Sequence, residues 1–273
     1  MPEPSQQALE SALQSAMDER FAAALAVARS AGRLAHEYFE RASTLEIEHK
    51  GAQDLVSEAD RETERLITRE LLEAFPGDAF VGEEHGRTTG EIDAGTWVVD
   101  PIDGTQPFLL GLPSWCISIA YVIADKVRLG VIHSPVTGEI FAAQHGCGAT
   151  KNGHPIHVRS ATSLGDGITG VGCSPRTKPD ELAEIMRRLL SAGGMYHRTG
   201  SGALNLAYVA AGHHIGYVET YIHAWDCLAA VCLIEEAGGT VSPFLADYGV
   251  AGAGRLIAGS PDVYNALVSL LPE

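Results

Sequence analysis

An acidic turn that follows a short apolar segment constrains this chain more than any other feature. Trp97-Val98-Val99 is typical of a buried strand, and Asp100-Pro101-Ile102-Asp103-Gly104-Thr105 comes directly after it. Pro101 restricts the backbone at the end of the strand. Because Asp103 follows Asp100 by three residues, both carboxylates can lie on one side of the turn. We therefore expect a sheet whose edge carries a pair of acids.

The residues after this pair favour a site for an anion. Gly104-Thr105 is a suitable start for a short helix, whose free N–H groups and dipole attract phosphate. Mg²⁺ prefers oxygen ligands and is commonly held by carboxylates together with the phosphate of a substrate. On this segment alone, however, an acidic turn that caps a helix is the simpler interpretation. The rest of the chain has to decide between the two.

The charge balance limits the partners of the chain. The net charge is −16, from 35 acidic residues against 19 lysines and arginines. Such a surface repels nucleic acid and anionic membranes, so we expect neither as a partner. A phosphorylated substrate would be repelled too, unless bound cations invert the local field. An acidic protein that handles phosphate therefore requires a metal.

The cysteines and the hydropathy pattern predict a soluble, cytoplasmic protein. Cys116, Cys227 and Cys232 lie inside apolar runs and lack zinc-ligand spacing, which favours reduced core thiols. The first residues do not resemble a secretory signal. No segment approaches the ~18 apolar residues of a membrane helix.

The periodicity of the first half predicts two helices and a meander of strands. The first helix covers residues 6–40, and a second begins near Ser57, where Ser57 and Asp60 fit a capping box, and ends at Pro76-Gly77. Predicted strands cover residues 44–49, 79–81, 97–99, 116–124, 127–133 and 139–143.

The second half alternates between the two kinds of element. Predicted strands cover residues 168–173, 215–219, 240–244 and 256–258, and predicted helices cover residues 179–192, 201–211, 225–237 and 261–271. The pattern changes after a glycine-rich stretch, so we divide the chain into an N-terminal α+β half, 1–160, and a C-terminal α/β half, 161–273. We expect layers of helices and sheets and not a simple doubly wound sheet.

Two further acidic sites lie at the ends of predicted elements. Gly82-Glu83-Glu84 follows the apolar strand of residues 79–81, and Asp226 lies near the start of a helix behind Trp225. Three separate acidic sites at the ends of elements are difficult to explain as ordinary acids on a solvated surface. Together they resemble, in order and spacing, the inositol monophosphatase family of magnesium-dependent, lithium-sensitive phosphatases. The segments that carry the resemblance are Asp54-Leu55-Val56-Ser57 with Asp60, Gly82-Glu83-Glu84, Asp100 to Thr105, and Ile222-His223-Ala224-Trp225-Asp226.

The resemblance implies an α+β fold, a layered α-β-α-β-α sandwich of the inositol monophosphatase and fructose-1,6-bisphosphatase type. It also implies two or three Mg²⁺ ions per active site and a homodimer. The metal ligands it implies are Glu83, Asp100, the carbonyl group of Ile102, Asp103 and Asp226. The catalytic residues it implies are Glu83, Thr105 and Asp54, with Thr105 orienting the attacking water and Asp54 as its hydrogen-bond partner. The substrate-binding residues expected beside them are Asp103, Gly104, Thr105, Ser201, Gly202, Glu219 and Asp226.

The function implied is that of a phosphoric monoester hydrolase acting on a small phosphorylated substrate, with inositol monophosphate favoured. One segment departs from the inositol pattern, since Pro107 stands where inositol-specific members commonly have Asn. The segment from Gln106 to Trp115 is also similar to branches that act on histidinol phosphate. A histidinol-phosphate phosphatase therefore stays open as an alternative. So does a catalytically silent regulatory protein that binds phosphate or metal.

Overall fold

The protein is described by a computed structural model that covers residues 6–41, 47–51, 54–91 and 94–272. Side chains are described for residues 14–41, 58–91 and 94–272. None of the helices in these ranges is both long enough and apolar enough to cross a membrane.

In its described residues, the N-terminal half contains two long α-helices, one short α-helix and ten strands. The helices are α1 (Gln6–Phe39), α2 (Glu58–Ala74) and α3 (Thr105–Leu109). The strands are β1 (Ile47–Gly51), β2 (Asp54–Ser57), β3 (Ala79–Gly82), β4 (Gly86–Thr88), β5 (Thr96–Asp103), β6 (Cys116–Ile123), β7 (Lys126–Ser134), β8 (Glu139–Gln144), β9 (Ala149–Lys151) and β10 (His154–Ile156). Strands β1 and β2 form a separate pair, and the others form one sheet in the order β10-β9-β8-β7-β6-β5-β3-β4.

Within residues 161–272, the C-terminal half contains a second sheet and five α-helices. Its strands are β11 (Ile168–Val171), β12 (Met195–His197), β13 (Gly216–His223), β14 (Thr240–Val241) and β15 (Ala253–Gly259), in the order β12-β11-β13-β15-β14. Its helices are α4 (Pro179–Ser191), α5 (Gly202–Ala210), α6 (Ala224–Glu236), α7 (Phe244–Tyr248) and α8 (Pro261–Val268). Strands β11, β12 and β13 are parallel, so their carboxyl ends meet at one edge.

The helices and the two sheets alternate in five layers. Helices α1 and α2 pack on one face of the large sheet, and α5 and α6 pack on its other face. The same two helices contact the small sheet, whose far face is covered by α4 and α8. Helix α6 is apolar all round, with residues 227–234 buried, because it lies between two sheets. The predicted α-β-α-β-α sandwich is confirmed.

A buried ion pair ties α1 to the large sheet. Asp78 is 3% exposed and accepts hydrogen bonds from Arg20 Nε at 2.9 Å and from a second guanidinium nitrogen at 2.8 Å. The indole of Trp97 and the hydroxyl of Tyr121 donate to the same carboxylate, at 3.0 and 3.1 Å. The guanidinium of Arg20 also lies over the ring of Phe75. Every partner of this carboxylate is a donor, so its charge is fully compensated.

Most predicted elements are confirmed, and the differences concern short or terminal segments. Phe244 begins α7 and does not continue a strand, and the strand predicted for 215–219 continues to His223. Strands β4, β9, β10 and β12 were not predicted, because three residues carry too little periodicity. Of the strand predicted at 44–49, residues 44–46 lie outside the described ranges. The division of the chain at residue 160 stays a prediction.

Candidate active site

The acidic segment at the end of β5 forms a bulge in the large sheet. The register of β5 against β6 shifts between Asp100 and Asp103, so the chain gains a local kink at that point. The carboxylate of Asp100 accepts the N–H of Ile102 at 2.9 Å, which stabilises the kink. The bulge therefore places Asp100 and Asp103 in the same site.

Gly104 allows the chain to turn from the bulge into α3. Its φ is +96°, a conformation that L side chains rarely adopt, and a Cβ there would lie 3.0 Å from the carbonyl oxygen of Ser114. Thr105 then begins α3, and its hydroxyl lies 3.3 Å from both the carbonyl oxygen of Ile102 and the carboxylate of Asp60. The side chain of Asp54, the predicted partner of Thr105, lies outside the described residues. Asp60 was not predicted as a site residue.

Three carboxylates from both halves of the chain meet beside this turn. Asp100, Asp103 and Asp226 each offer one oxygen, and these oxygens all lie within 4.8 Å of one another. Asp226 reaches the group from the first turn of α6, where its carboxylate accepts the N–H of His223 at 3.2 Å. Asp100 and Asp103 are only 2% and 7% exposed. The predicted ligands Asp100, Asp103 and Asp226 are therefore brought together.

The electrostatics of these acids favour a bound cation. Burial, followed by the charges of Glu83, Asp103 and Asp226, raises the pKa of Asp100 well above its usual range. Burial also raises the pKa of Asp103 to about 6 and that of Asp226 to about 7. Among the described side chains, no lysine or arginine forms an ion pair with any of them. Hard oxygen donors without a counter-charge fit a divalent cation such as Mg²⁺.

The turn that carries Glu83 is held by a buried acid of α2. Glu64 is 0% exposed, and its carboxylate accepts the N–H groups of Glu84 at 2.8 Å and His85 at 2.7 Å. A Cβ on Gly82 would lie 2.5 Å from that carboxylate, so only glycine leaves room for it. Glu83 itself lines the same cavity as Asp103 and Asp226. Glu64 was missed, although an acid among the buried residues of an amphipathic helix was the available signal.

The N-terminus of α5 binds the carboxylate of Asp103. The hydroxyl of Ser201 donates to Asp103 Oδ2 at 2.5 Å, and the N–H groups of Ala203 and Gly202 donate at 2.7 and 3.3 Å. Ser201 also caps the helix, because its oxygen accepts the N–H of Leu204 at 3.1 Å. Ser201 and Gly202, predicted as substrate-binding, line the cavity but donate to a metal-ligand candidate. Their contact with substrate stays a prediction.

A cavity of about 370 Å³ opens in front of the acids, and Glu219 lies in its wall. Glu219 is 5% exposed, at a bulge where β13 shifts register against β15, and accepts the hydroxyl of Tyr217 at 2.5 Å. Burial raises the pKa of Glu219 to about 8. A carboxyl group in this state can both donate to and accept from an alcohol.

The sequence matches a known family over most of its length. The model of the inositol monophosphatase family matches residues 16–272. The chain belongs to this family. The inositol-1-monophosphatase of Mesorhizobium japonicum is 37% identical over 249 residues, which cover 90% of this chain and 93% of that protein. The Nus factor SuhB of Pseudomonas aeruginosa is 35% identical over 254 residues, which cover 91% and 94%.

A solved structure agrees with the family assignment. The extragenic suppressor protein suhB of Bartonella henselae superimposes with a TM-score of 0.86 at 31% identity, over 92% of this chain and 97% of that one. The family fold explains why acids from distant segments converge, because the central helix layer contacts both sheets.

Two arginines of the cavity stand outside the family motifs that the sequence displayed. Arg176 and Arg198 line the side formed by the C-terminal half. The only sequence signal for them was their place after predicted strands or before a predicted helix. Trp115, by contrast, is 0% exposed and packs with Phe39 and Phe108, so it is a core residue and not a cavity wall.

Proposed function

We propose that this protein is a magnesium-dependent phosphoric monoester hydrolase that acts on a small polyol phosphate, with inositol monophosphate as the favoured substrate. The observation that carries the proposal is the cluster of Asp100, Asp103 and Asp226, which is largely buried and has no lysine or arginine partner among the described side chains. Asp103 and Asp226 also line a cavity. Buried like charges of this kind are costly for folding unless a ligand compensates them. Membership of the inositol monophosphatase family supports the same reaction.

The residues that would hold Mg²⁺ are Glu83, Asp100, the Ile102 carbonyl group, Asp103 and Asp226. When bound, Mg²⁺ supplies positive charge to the phosphate and lowers the pKa of a coordinated water. We expect two or three ions per site.

The remaining steps belong to side chains and backbone groups of this chain. The N–H groups of Gly104 and Thr105, at the start of α3, are available to the phosphate oxygens of the substrate. The Thr105 hydroxyl, which lies 3.3 Å from Asp60, orients the attacking water, and Asp54 assists it. Glu83 accepts the proton of that water. Glu219, in the wall of the same cavity, hydrogen-bonds the alcohol part of the substrate.

Two other functions were weighed against this one. For histidinol phosphate, the sequence argument was the segment from Gln106 to Trp115, where Pro107 departs from the inositol pattern. Pro107 is buried and lies against Gly200, where an added Cβ would be 2.7 Å from the proline ring. Pro107 therefore has a packing role that is independent of the substrate. For a silent regulatory protein, the name Nus factor of several relatives is the argument. The complete set of acids in this chain argues for turnover.

We also propose that the protein is a cytoplasmic homodimer that binds neither nucleic acid nor membranes. Strand β12 is an edge strand whose Met195 and Tyr196 are 62% and 51% exposed. Leu110 and Leu112 are exposed on the neighbouring loop, which is joined to the segment after β12 by the hydrogen bond from Ser114 to the Thr199 carbonyl. Exposed apolar groups of this extent suit a protein interface. Light scattering of the purified protein tests the homodimer, and a monomer at micromolar concentration would contradict it.

A turnover panel tests the activity. Phosphate release is measured with inositol 1-phosphate, histidinol phosphate, fructose 1,6-bisphosphate and 3′-phosphoadenosine 5′-phosphate, with Mg²⁺ and with EDTA. We expect release that depends on Mg²⁺, with inositol 1-phosphate among the substrates. A preference for histidinol phosphate would contradict inositol monophosphate as the substrate. No phosphate release from any of the compounds would contradict the proposal that the protein is a phosphatase.

A further inference from the structure

We propose that Tyr217 is a positioning residue for substrate selection: its hydroxyl group fixes the carboxyl group of Glu219, which in turn reads the hydroxyl groups of the substrate. The inference rests on the proposed phosphatase function and adds a residue to its substrate selection. Tyr217 lies outside the segments that carry the family resemblance and was not predicted as a site residue. It lies at the cavity wall but is 0% exposed, so it acts through Glu219 and not by contact with the substrate.

Tyr217 and Glu219 lie on the same face of β13. Side chains alternate along a strand, so residues two positions apart extend to one side of the sheet. The hydroxyl of Tyr217 donates to Oε2 of Glu219 at 2.5 Å. The bulge of β13 follows directly, between Glu219 and Ile222, where the register with β15 shifts. The hydrogen bond therefore holds the carboxyl group at the point where the regular strand pairing stops.

Two glycines leave the space that this pair occupies. A Cβ on Gly172, directly after β11, would lie 2.2 Å from both the Tyr217 hydroxyl and Oε2 of Glu219. The N–H of Gly172 donates to the carbonyl of Val218 at 3.0 Å, which keeps its backbone beside β13. On the other side, a Cβ on Gly202, the first residue of α5, would lie 3.6 Å from the same hydroxyl. The pair is thus enclosed between the end of β11 and the start of α5.

The hydrogen bond determines which carboxyl oxygen is available to a ligand. Burial, followed by the charge of Glu219, raises the pKa of Tyr217 well above its usual range, so the phenol keeps its proton and stays a donor. Oε2 of Glu219 is engaged as the acceptor, which favours Oε1 as the site of a proton. Oε1 can then donate to a substrate hydroxyl when Glu219 is protonated and accept from one when it is ionised.

The surroundings of Glu219 make it dependent on this one donor. Among the described residues, Tyr217 is the group that donates a hydrogen bond to its carboxyl. Burial raises the pKa of Glu219 to about 8, and the charges of Asp226 and Asp103 act in the same direction. The hydrogen bond from Tyr217 and the charge of Arg198 oppose them. A single hydroxyl group therefore controls the orientation of the carboxyl that meets the alcohol.

The test compares two substrates that differ in the hydroxyl groups of the alcohol. Inositol 1-phosphate carries hydroxyl groups around its ring, and cyclohexyl phosphate has the same ring without them. Phosphate release from both is measured with Mg²⁺ on the unmodified protein, Tyr217→Phe, Glu219→Ala and the double variant. Tyr264→Phe, which removes a hydroxyl from a partly buried tyrosine of α8 outside the cavity lining, is the matched control. Circular dichroism and melting curves identify any variant that fails to fold.

We expect Tyr217→Phe to raise KM for inositol 1-phosphate by about fivefold to tenfold with kcat within about twofold, because the lost contact supports ground state and transition state equally. KM for cyclohexyl phosphate should change by less than about twofold, and Tyr264→Phe should change neither. In the Glu219→Ala background, loss of the hydroxyl should have no further effect, since the two residues act as one unit. An unchanged KM for inositol 1-phosphate, equal changes for both substrates, or losses that multiply in the double variant would overturn the role.

A second variant displaces the pair without removing either group. Gly172→Ala places a methyl group against both the phenol and the carboxyl, so it should raise KM for inositol 1-phosphate at least as much as Tyr217→Phe does. Gly165→Ala is its control, because the nearest atom to a Cβ there lies 3.6 Å away. Normal kinetics of Gly172→Ala with inositol 1-phosphate would show that the position of the pair does not matter.

A failure of the proposed function gives a different result. If neither compound releases phosphate from the unmodified protein, the enzyme proposal fails, and the role of Tyr217 is measured by binding. With Mg²⁺ present, inositol 1-phosphate should raise the melting temperature of the unmodified protein more than that of Tyr217→Phe, whereas cyclohexyl phosphate should shift both equally. Equal shifts of the two proteins with inositol 1-phosphate would reject the role of Tyr217 independently of catalysis.

Discussion

Asp78 and Asp100 show that two equally buried carboxylates can have opposite electrostatic surroundings. Asp78 is 3% exposed, and Asp100 is 2% exposed. Asp78 receives four hydrogen bonds, two of them from Arg20, and its charge is cancelled inside the protein. Asp100 instead faces Glu83, Asp103 and Asp226, whose charges raise its pKa further.

The difference lies in what surrounds each carboxylate. Folding places Arg20 of α1 beside Asp78, so this ion pair stabilises the packing of α1 on the large sheet. The surroundings of Asp100 lack a cation among the described side chains, so the fold carries an electrostatic cost there until a ligand binds. A protein tolerates such a cost where the ligand is part of its function.

The largest expected effect is a loss of activity when a member of the acidic cluster is changed. Asp103→Asn should lower kcat by about 1000-fold, because the lost charge acts on a transition state that depends on electrostatic stabilisation. The fold should survive, since the asparagine oxygen can still accept from Ser201 and Ala203. Steady-state kinetics with inositol 1-phosphate measure the change, and Asp125→Asn in the exposed β6–β7 turn is the control. Turnover within tenfold of normal would remove Asp103 from the site.

A change at Asp78 should lower stability and leave the catalytic rate unchanged. Asp78→Asn leaves the partly buried Arg20 without its counter-charge and should lower the free energy of unfolding by about 2 kcal/mol. Urea denaturation measures the loss, and kcat should stay within about twofold at a temperature where the variant is folded. A loss below about 1 kcal/mol would show that this pair is not structural.

A smaller effect tests how α5 supports the metal site. Ser201→Ala removes the 2.5 Å hydrogen bond to Asp103 and should weaken Mg²⁺ binding by about 10- to 100-fold. Calorimetric titration of the free protein with Mg²⁺ measures this without any substrate. Ser201→Thr keeps the hydroxyl and should restore most of the affinity. If Ser201→Ala binds Mg²⁺ normally, the hydroxyl only caps the helix.

A pH titration tests Glu219, an intermediate case whose side-chain hydrogen-bond partner, Tyr217, is neutral. Its folded pKa of about 8 lies above the usual value, so the stability that the protonated group supports is complete below about pH 4 and is lost as the pH rises through 8. In EDTA, the free energy of unfolding should fall over this range, by at most about 1.4 kcal/mol per pH unit from this group. Glu219→Gln should flatten the slope, and an unchanged slope would assign it to other groups.

The metal-ligand candidates were predictable because they lie in compact motifs. Asp100 and Asp103 are three residues apart, and a buried strand followed by an acidic turn is visible in the chain itself. Glu83 and Asp226 were predicted from their places at the ends of elements. Helix α2 followed from its apolar periodicity, which depends only on neighbouring residues.

The contacts that support the ligands were not predictable in the same way. Ser201 is 98 residues from Asp103, and Glu64 is 20 residues from Glu84. No local pattern shows that α5 presents its N–H groups to Asp103, or that α2 holds the turn of Glu83. Arg176 and Arg198 reach the cavity only because β11 and β12 lie side by side in parallel.

By itself, then, the sequence determined the acidic turn, the glycine that lets it enter a helix, and the need of an acidic chain for a cation at a phosphate site. The tertiary structure decided which acids are compensated, because compensation depends on side chains brought together from distant segments. Asp78 contacts Arg20, which is 58 residues away in the chain, whereas Asp100 faces Glu83, Asp103 and Asp226. Charge is a property of a residue, but its free energy is a property of the surroundings that folding builds.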